Sequence, residues 1–277
     1  MLSLAASLLL FRILFSPAAD DIYPASNYRT DSLRILTYNL LASPEESTVR
    51  GKEILSILQK SGADIFFFQE AAPWFLEELA KEEWAENFFQ TSVLSGFNSY
   101  KGLFVLSKAP ISASYHSLPG FQKRKILFLR TVLNGEKTVF VNAHLESPLE
   151  DNWTRALQLW YIFLHVKSVE NLFLLGDFNF GDGEEPESSI LPEELTDVWL
   201  KLNPGQDGFT WDMQNNSLAV KNAYPREGSR RLDRILLKSK IFQPCGIEFV
   251  GDAEIAPGLF PSDHYGLLAT FGTVCGD

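Results

Sequence analysis

Positive charge is what this sequence has least of. Its 24 Lys and Arg residues face 35 Asp and Glu, for a net charge of −11 and a pI near 4.9. That argues mildly against a protein that coats nucleic acid, because such binding rests on cations neutralising many phosphates. It leaves room for an enzyme that holds a single phosphate with a few cations and a metal ion. Cysteine is scarce too. Cys245 and Cys275 have no CxxC spacing and no nearby histidine pair, so neither a zinc site nor a redox motif is indicated. One disulfide and two separate buried thiols both remain open. There is no internal repeat and no linker rich in Gly or Ser, and nothing in the composition favours disorder.

Long apolar runs are also missing, apart from one. Leu2 to Phe15 is apolar except for Arg12, and is followed by Ser16-Pro17-Ala18-Ala19 and the acidic Asp20-Asp21. That order resembles a secretory signal peptide, although a basic leading segment is lacking. The run is too short and too interrupted to span a bilayer well, and no later stretch is apolar enough to do so. Residues 1–30 therefore read as a signal peptide or an N-terminal segment. The protein is expected to be exported if the former holds and cytoplasmic otherwise.

What the sequence does have is core. Hydrophobic residues make up 45% of the 277, with 22 Phe among them, enough for a deeply buried sheet. Strand and helix patterns alternate past residue 30. Residues 33–38 read as a buried strand ending at Asn39, and 46–60 as a helix closed by Gly62. The apolar run 65–68 ends at Gln69-Glu70, and Pro73 opens a helix expected to reach Glu86. Residues 103–106, 126–129 and 138–141 read as strands, with a hairpin turn at Asn134-Gly135. A helix over 153–167 is expected to place Trp153, Ala156, Leu157, Trp160, Phe163 and Leu164 on one side. Residues 172–175 form a buried strand leading into Gly176-Asp177-Phe178-Asn179, and 181–194 an acidic surface loop. Strands over 231–237 and 266–271 complete the chain. Hairpins mixed with strand–helix units point to a sheet core flanked by helices in one domain, residues 31–277.

The chemistry lies in where polar residues fall. Asn39, Glu70, His144, Asp177, Asn179 and His264 each sit at the margin of an apolar strand. Any one of them alone is more simply a satisfied polar group of the core, since polar groups there cost free energy to desolvate. Together they match the needs of phosphodiester hydrolysis. A hard cation wants a carboxylate such as Glu70. Attacking water needs a base and an orienting amide, which Asp177 and Asn179 can supply from one side of one strand. Charge building on the phosphate needs donors, for which His264 and His144 are suited. Asp233 could hold His264 in one tautomer.

These residues stand in segments that resemble, in order, the motifs of the endonuclease/exonuclease/phosphatase (deoxyribonuclease I-like) superfamily. The segments are Thr37-Tyr38-Asn39, Phe68-Gln69-Glu70, Asn142-Ala143-His144-Leu145-Glu146-Ser147, Gly176-Asp177-Phe178-Asn179, Arg231-Leu232-Asp233-Arg234-Ile235 and Ser262-Asp263-His264. The stretches 195–199, 209–215 and 260–268 narrow the resemblance to the tyrosyl-DNA phosphodiesterase 2 group, which releases tyrosine from a 5′ DNA phosphate.

The resemblance implies an α/β fold, a four-layered sandwich of two mixed β-sheets packed face to face with helices outside. It implies Glu70 as metal ligand with Asp263 beside the metal, and Asn39 supporting metal or phosphate. Asp177 would activate water, Asn179 would share the phosphate, and His264, oriented by Asp233, would stabilise the transition state. His144 and Ser147 would touch phosphate, and Trp211 would stack on a base. Carboxylate, amide and water ligands suit Mg²⁺, with Mn²⁺ as substitute. The expected partner is nucleic acid or another phosphodiester, and the expected state is a monomer.

One departure stands out. The group usually carries a cation soon after the Asp-x-Asn motif, where this chain has Phe180-Gly181-Asp182-Gly183. Arg155, Arg226, Arg230 and Arg231 are candidate substitutes. Lys123-Arg124-Lys125 reads as a solvated turn, and His116 and His165 as surface or helix residues. Two alternatives stay beside the nucleic-acid reading. One is a lipid or inositol-phosphate phosphoesterase of the same fold, and the other a catalytically inactive binding module.

Overall fold

The computed structural model describes residues 22–96 and 101–276. The apolar run Leu2–Phe15, and with it the signal-peptide expectation, lies outside them. Two mixed six-stranded sheets form the centre. In chain order the strands are β1 (Ser32–Asn39), β2 (Ile65–Ala71), β3 (Phe89–Leu94), β4 (Gly102–Ser107), β5 (Ser112–Ser117) and β6 (Lys125–Leu133). They continue with β7 (Glu136–His144), β8 (Leu172–Asp177), β9 (Thr196–Asp197), β10 (Asp233–Lys238), β11 (Gln243–Val250) and β12 (Gly266–Gly272). The first sheet runs β11-β12-β1-β2-β4-β3 and the second β5-β6-β7-β8-β10-β9.

Alternation along the strands builds the layers. Ile35, Phe67, Val105, Leu127, Phe140, Phe173, Ile235 and Leu267 meet between the sheets. Their neighbours Leu36, Phe66, Phe68 and Leu268 turn outward, under α1 (Ser47–Ser61) and α2 (Pro73–Leu79). Phe128, Val141, Leu172 and Leu174 do the same under α3 (Asn152–Val166). The result is helix, sheet, sheet, helix, because each strand has two apolar faces and each face needs cover.

Each sheet contains one parallel pair, β1–β2 in the first and β7–β8 in the second. Parallel neighbours need a crossover, which α1 and α3 provide. The C-terminal ends of these two pairs lie side by side and carry the functional residues, as crevices at strand ends do in α/β folds. A polar rivet fastens the sheets beneath them. Gln69 Nε2 donates to Asn142 Oδ1 at 2.8 Å and to Thr37 Oγ1 at 3.1 Å, and Asn142 Nδ2 donates to the Phe68 carbonyl at 3.2 Å.

The structure departs from several expectations. The helix opened by Pro73 stops at Leu79, and a separate 3₁₀ turn covers Glu83–Asn87. The strand expected from Arg231 begins at Asp233. The loop 181–194 contains a short helix, α4 (Glu187–Ile190). Helix α3 buries Ala156, Leu159, Ile162 and Val166, and leaves Trp153, Leu157 and Trp160 exposed. Of the two readings left open for the cysteines, the disulfide is the one found, Cys245 on β11 bonded to Cys275 in the C-terminal tail. Short elements α5 (Val198–Leu202) and α6 (Ser217–Asn222) complete the fold, each capped at its N-terminus by a side chain, Asp197 and Asn216 respectively.

Candidate active site

One register line organises the second sheet's end. His144 on β7 lies opposite Asp177 on β8, and Asp177 lies opposite Asp233 on β10. In the first sheet Asn39 lies opposite Gln69, and Glu70 follows. Glu70 takes a left-handed backbone, φ 57°, where the β2–β4 pairing is irregular. That bulge turns its carboxylate into the crevice. Asn179 is also left-handed, φ 56°. Asn39, Glu70, His144, Ser147, Asp177, Asn179, Trp211, Asp263 and His264 thus line one cavity of about 150 Å³, together with Asn222 and Tyr224.

Asp177 is the hub. Its Oδ2 accepts from Asn39 Nδ2 at 2.9 Å and lies 3.4 Å from His144 Nε2 and 3.9 Å from His264 Nε2. Its Oδ1 accepts from the Asn179 amide at 2.9 Å. Burial pushes this carboxyl up to about 6, with the neighbouring Asp233 adding to the rise.

The two histidines are held in opposite charge states. Arg124 Nη1 donates to His144 Nδ1 at 3.1 Å, which leaves the proton on Nε2, toward Asp177. Burial, then Arg124, holds this imidazole well below its usual pKa, so the ring is neutral. For His264, burial alone would also favour the neutral ring. The Asp233 and Asp177 carboxylates outweigh it and push His264 up to about 10. Its Nδ1 donates to Asp233 Oδ2 at 2.7 Å, leaving an Nε2–H for the cavity. Asp233 is itself placed by Thr210, whose Oγ1 accepts its amide at 3.0 Å.

At the other corner Glu70 Oε2 accepts from the Ala42 amide at 3.0 Å, while Oε1 pairs with the Lys101 ammonium. Asp263 accepts from Asn222 Nδ2 at 2.8 Å, and burial raises its carboxyl. Ser262 Oγ, bonded to the Asn39 carbonyl at 2.6 Å, ties this segment to β1. Arg50 fixes the loop above, its guanidinium donating to the carbonyls of Leu40, Leu41, Ser43, Glu45 and Pro261.

Two arrangements bear on a divalent ion. Asp177, Asp233 and His264 bring ligating atoms within 4.8 Å of one another. Glu70 already holds a cation, the Lys101 ammonium, in a cavity it shares with Asn39 and Asp263. A carboxylate corner that accepts an ammonium is chemically suited to a hard cation with oxygen ligands.

The structure also shows which arginines are free for a phosphate. Arg155 is committed to Glu187 at 2.7 Å and to the Glu146, Pro148 and Leu149 carbonyls. Arg231 is committed to Asp182 and Asp197, and Arg230 to Glu227 and Glu184. These three do not replace the missing cation. Among the described residues, two other cations meet the site's side chains, Lys101 on Glu70 and Arg124 on His144. Arg124 is buried, against the solvated turn expected of it. It donates to Gln122 and His144, with Nη2 3.5 Å from Ser147 Oγ. Strand parity was the available signal, since Arg124 alternates in step with the buried Ile126 and Phe128. For Lys101 the sequence holds none. Trp211 is only 6% exposed and meets the His264 ring edge-on at 5.0 Å.

Comparison with known proteins agrees with this geometry. A model of the endonuclease/exonuclease/phosphatase family matches residues 36–264. Tyrosyl-DNA phosphodiesterase 2 of Mus musculus is 28% identical over 236 residues, covering 81% of this chain and 62% of that protein. The Homo sapiens protein is 26% identical over 239 residues, covering 81% and 64%. The chain thus spans a little under two thirds of these relatives. A D. rerio TDP2 structure complexed with single strand DNA product superposes with a TM-score of 0.76 at 24% identity, over 88% of this chain and all of that one. The family match over most of the chain, on a fold with the same layers, means that this protein belongs to the endonuclease/exonuclease/phosphatase family.

Proposed function

We propose that this protein hydrolyses a phosphodiester with an activated water, and that its substrate is nucleic acid, in particular a DNA 5′ end carrying a tyrosyl adduct. The observation that carries the reaction is the buried convergence of Asn39, His144 and His264 on one carboxylate oxygen of Asp177. The substrate rests on the relatives, which are named for tyrosyl-DNA cleavage.

In this mechanism Asp177 takes the proton of the attacking water, and the Asn39 and Asn179 contacts hold its carboxylate in place. His264 and His144 present Nε2–H donors to the non-bridging oxygens as negative charge grows there. Asp233 keeps the His264 ring charged and oriented. Arg124 keeps His144 in its donor tautomer and stands beside Ser147 at the phosphate end of the cavity. Trp211, buried against His264, braces that ring more than it offers a platform for a base. Glu70, with Asn39 and Asp263, would hold Mg²⁺ or Mn²⁺, which supplies charge neutralisation on the phosphate when bound.

One observation favours a second reading, an exported phosphodiesterase acting on a lipid or small-molecule phosphate. Cys245 and Cys275 form a disulfide, and such bonds persist mainly in oxidising compartments. A panel separates the readings: a 5′-phosphotyrosyl oligonucleotide, plain single- and double-stranded DNA, sphingomyelin and an inositol phosphate, each with Mg²⁺. Preferential release of tyrosine, lost in Glu70→Ala and Asp177→Asn, is the expected result. Turnover of lipid or inositol phosphate alone would overturn the nucleic-acid substrate. No turnover by the wild type would favour a binding module.

A further inference from the structure

Most side chains lining the catalytic cavity are charged or polar, which suits a phosphate and a metal ion. Among the described lining residues three carry large apolar surface, Trp211, Leu232 and Tyr224. Trp211 and Leu232 are buried, at 6% and 2% exposure, while Tyr224 is 41% exposed. Tyr224 is therefore the open apolar face that a bound substrate can meet there. It belongs to a short segment that bridges the mouth just past α6. Asn222 Nδ2 donates to Asp263 at 2.8 Å on one side, and Tyr224 Oη lies 3.4 Å from Ser147 Oγ on the other.

The loop is built to hold that ring. The Glu227 amide donates to the Tyr224 carbonyl at 3.1 Å, closing a tight turn with Pro225 and Arg226 at its centre. Proline suits the first central position of a type II turn, and Arg226 takes the left-handed backbone, φ 69°, that such a turn needs at the second. That conformation is strained for an arginine. Glu227, its side chain 3% exposed, accepts the Tyr224 amide at 2.8 Å and pairs with Arg230. A solvated loop needs neither a buried ion pair nor a left-handed arginine. A ring already fixed in place loses little freedom when substrate arrives.

We propose that Tyr224 contacts the organic group esterified to the scissile phosphate and selects a flat, aromatic one. The inference rests on the phosphodiesterase reading and deepens it by naming the residue that sets its substrate preference. An aromatic pair gains more than the area it buries, which a puckered ring of the same size does not. The contact expected of Trp211 thus falls to Tyr224, because Trp211 is spent on the His264 ring. The Tyr224 hydroxyl is secondary, since its 3.4 Å contact with Ser147 is a weak one.

The test compares two ligands of similar size and different shape, the phenyl and cyclohexyl esters of thymidine 5′-phosphate. The full chain carrying Asp177→Asn is titrated with each in Mg²⁺ by calorimetry, so that binding is read without cleavage. Expected is a preference of about fivefold for the phenyl ester, kept in Tyr224→Phe and lost in Tyr224→Ala. With Asp177 intact, Tyr224→Ala should raise KM for the phenyl ester about fivefold and leave kcat nearly unchanged, as for a contact made equally in ground and transition states. A merely structural role would weaken both esters alike, so the ratio of the two affinities decides. Circular dichroism and melting temperature confirm that the variants fold. Equal binding of the two esters, binding of neither, or a preference that survives Tyr224→Ala would overturn the inference. The proposed reaction falls with it only if the wild type also turns over no phosphodiester.

Discussion

The two corners of the cavity are built on opposite principles. At the β7–β8–β10 corner, Asp177, Asp233 and His264 are buried, and the two carboxylates keep the His264 ring charged and oriented. At the β1–β2 corner, Glu70 is partly open and its partner is the end of a flexible lysine, itself a third exposed. The first corner is fixed before substrate arrives, and the second can exchange one cation for another. Proton transfer requires fixed geometry, while cation binding requires a charge that can be displaced.

Substitutions that break this contrast should rank accordingly. Asp177→Asn keeps the shape but removes the base at the hub, and should lower the cleavage rate by about 10³–10⁴-fold with the melting temperature preserved. Asp233→Asn should cost about 10²–10³-fold, since His264 then loses the carboxylate that charges and orients it. Glu70→Gln strikes the exchangeable corner. It should raise the Mg²⁺ concentration for half-maximal rate about tenfold or more, with part of the rate recovered at high Mg²⁺, as read by titration. Trp211→Phe keeps an aromatic ring against His264 while trimming the indole to a single ring, so its effect on rate should stay within about threefold. A result for Asp177→Asn rescued by Mg²⁺ would erase the distinction between the corners.

Stability sharpens the same contrast from outside the chemistry. Arg50 fastens the Leu40–Glu45 loop and Pro261 through carbonyl oxygens, and its guanidinium also lies over the Trp74 ring. Arg50→Met leaves those buried acceptors unpaired and should cost about 3 kcal/mol in denaturant unfolding.

The residues that could be read from sequence were those whose chemistry conflicts with their surroundings. Asn39, Glu70 and Asp177 lie at the ends of largely apolar strands; those strands point to a sheet core flanked by helices, while the two-sheet sandwich followed only from the family resemblance. Lys101 could not be read, because it meets Glu70 only through the β2–β4 pairing, and no local pattern announces that. The face of α3 was misjudged for a related reason. Its sequence carries two apolar stripes one residue apart, and only the packed sheet decides that Leu159 and Ile162 go in while Trp153 and Trp160 stay out. Strands β3 and β5 were missed because their sequences, Phe-Gln-Thr-Ser-Val-Leu and Ser-Ala-Ser-Tyr-His-Ser, are edge strands with mostly polar, half-exposed faces. Arg231 suggested a phosphate ligand, yet Asp182 and Asp197 neutralise it together with its neighbour Arg234. Asp182, soon after the Asp-x-Asn motif, and Asp197 hold those arginines inward.

The most direct test of the central claim is the cleavage rate of an aryl phosphodiester by wild-type protein and Asp177→Asn, measured across a Mg²⁺ titration. The account predicts Mg²⁺-dependent turnover by the wild type and almost none by the variant at any Mg²⁺ concentration. Equal rates for the two proteins, or wild-type turnover that persists in excess chelator, would contradict it.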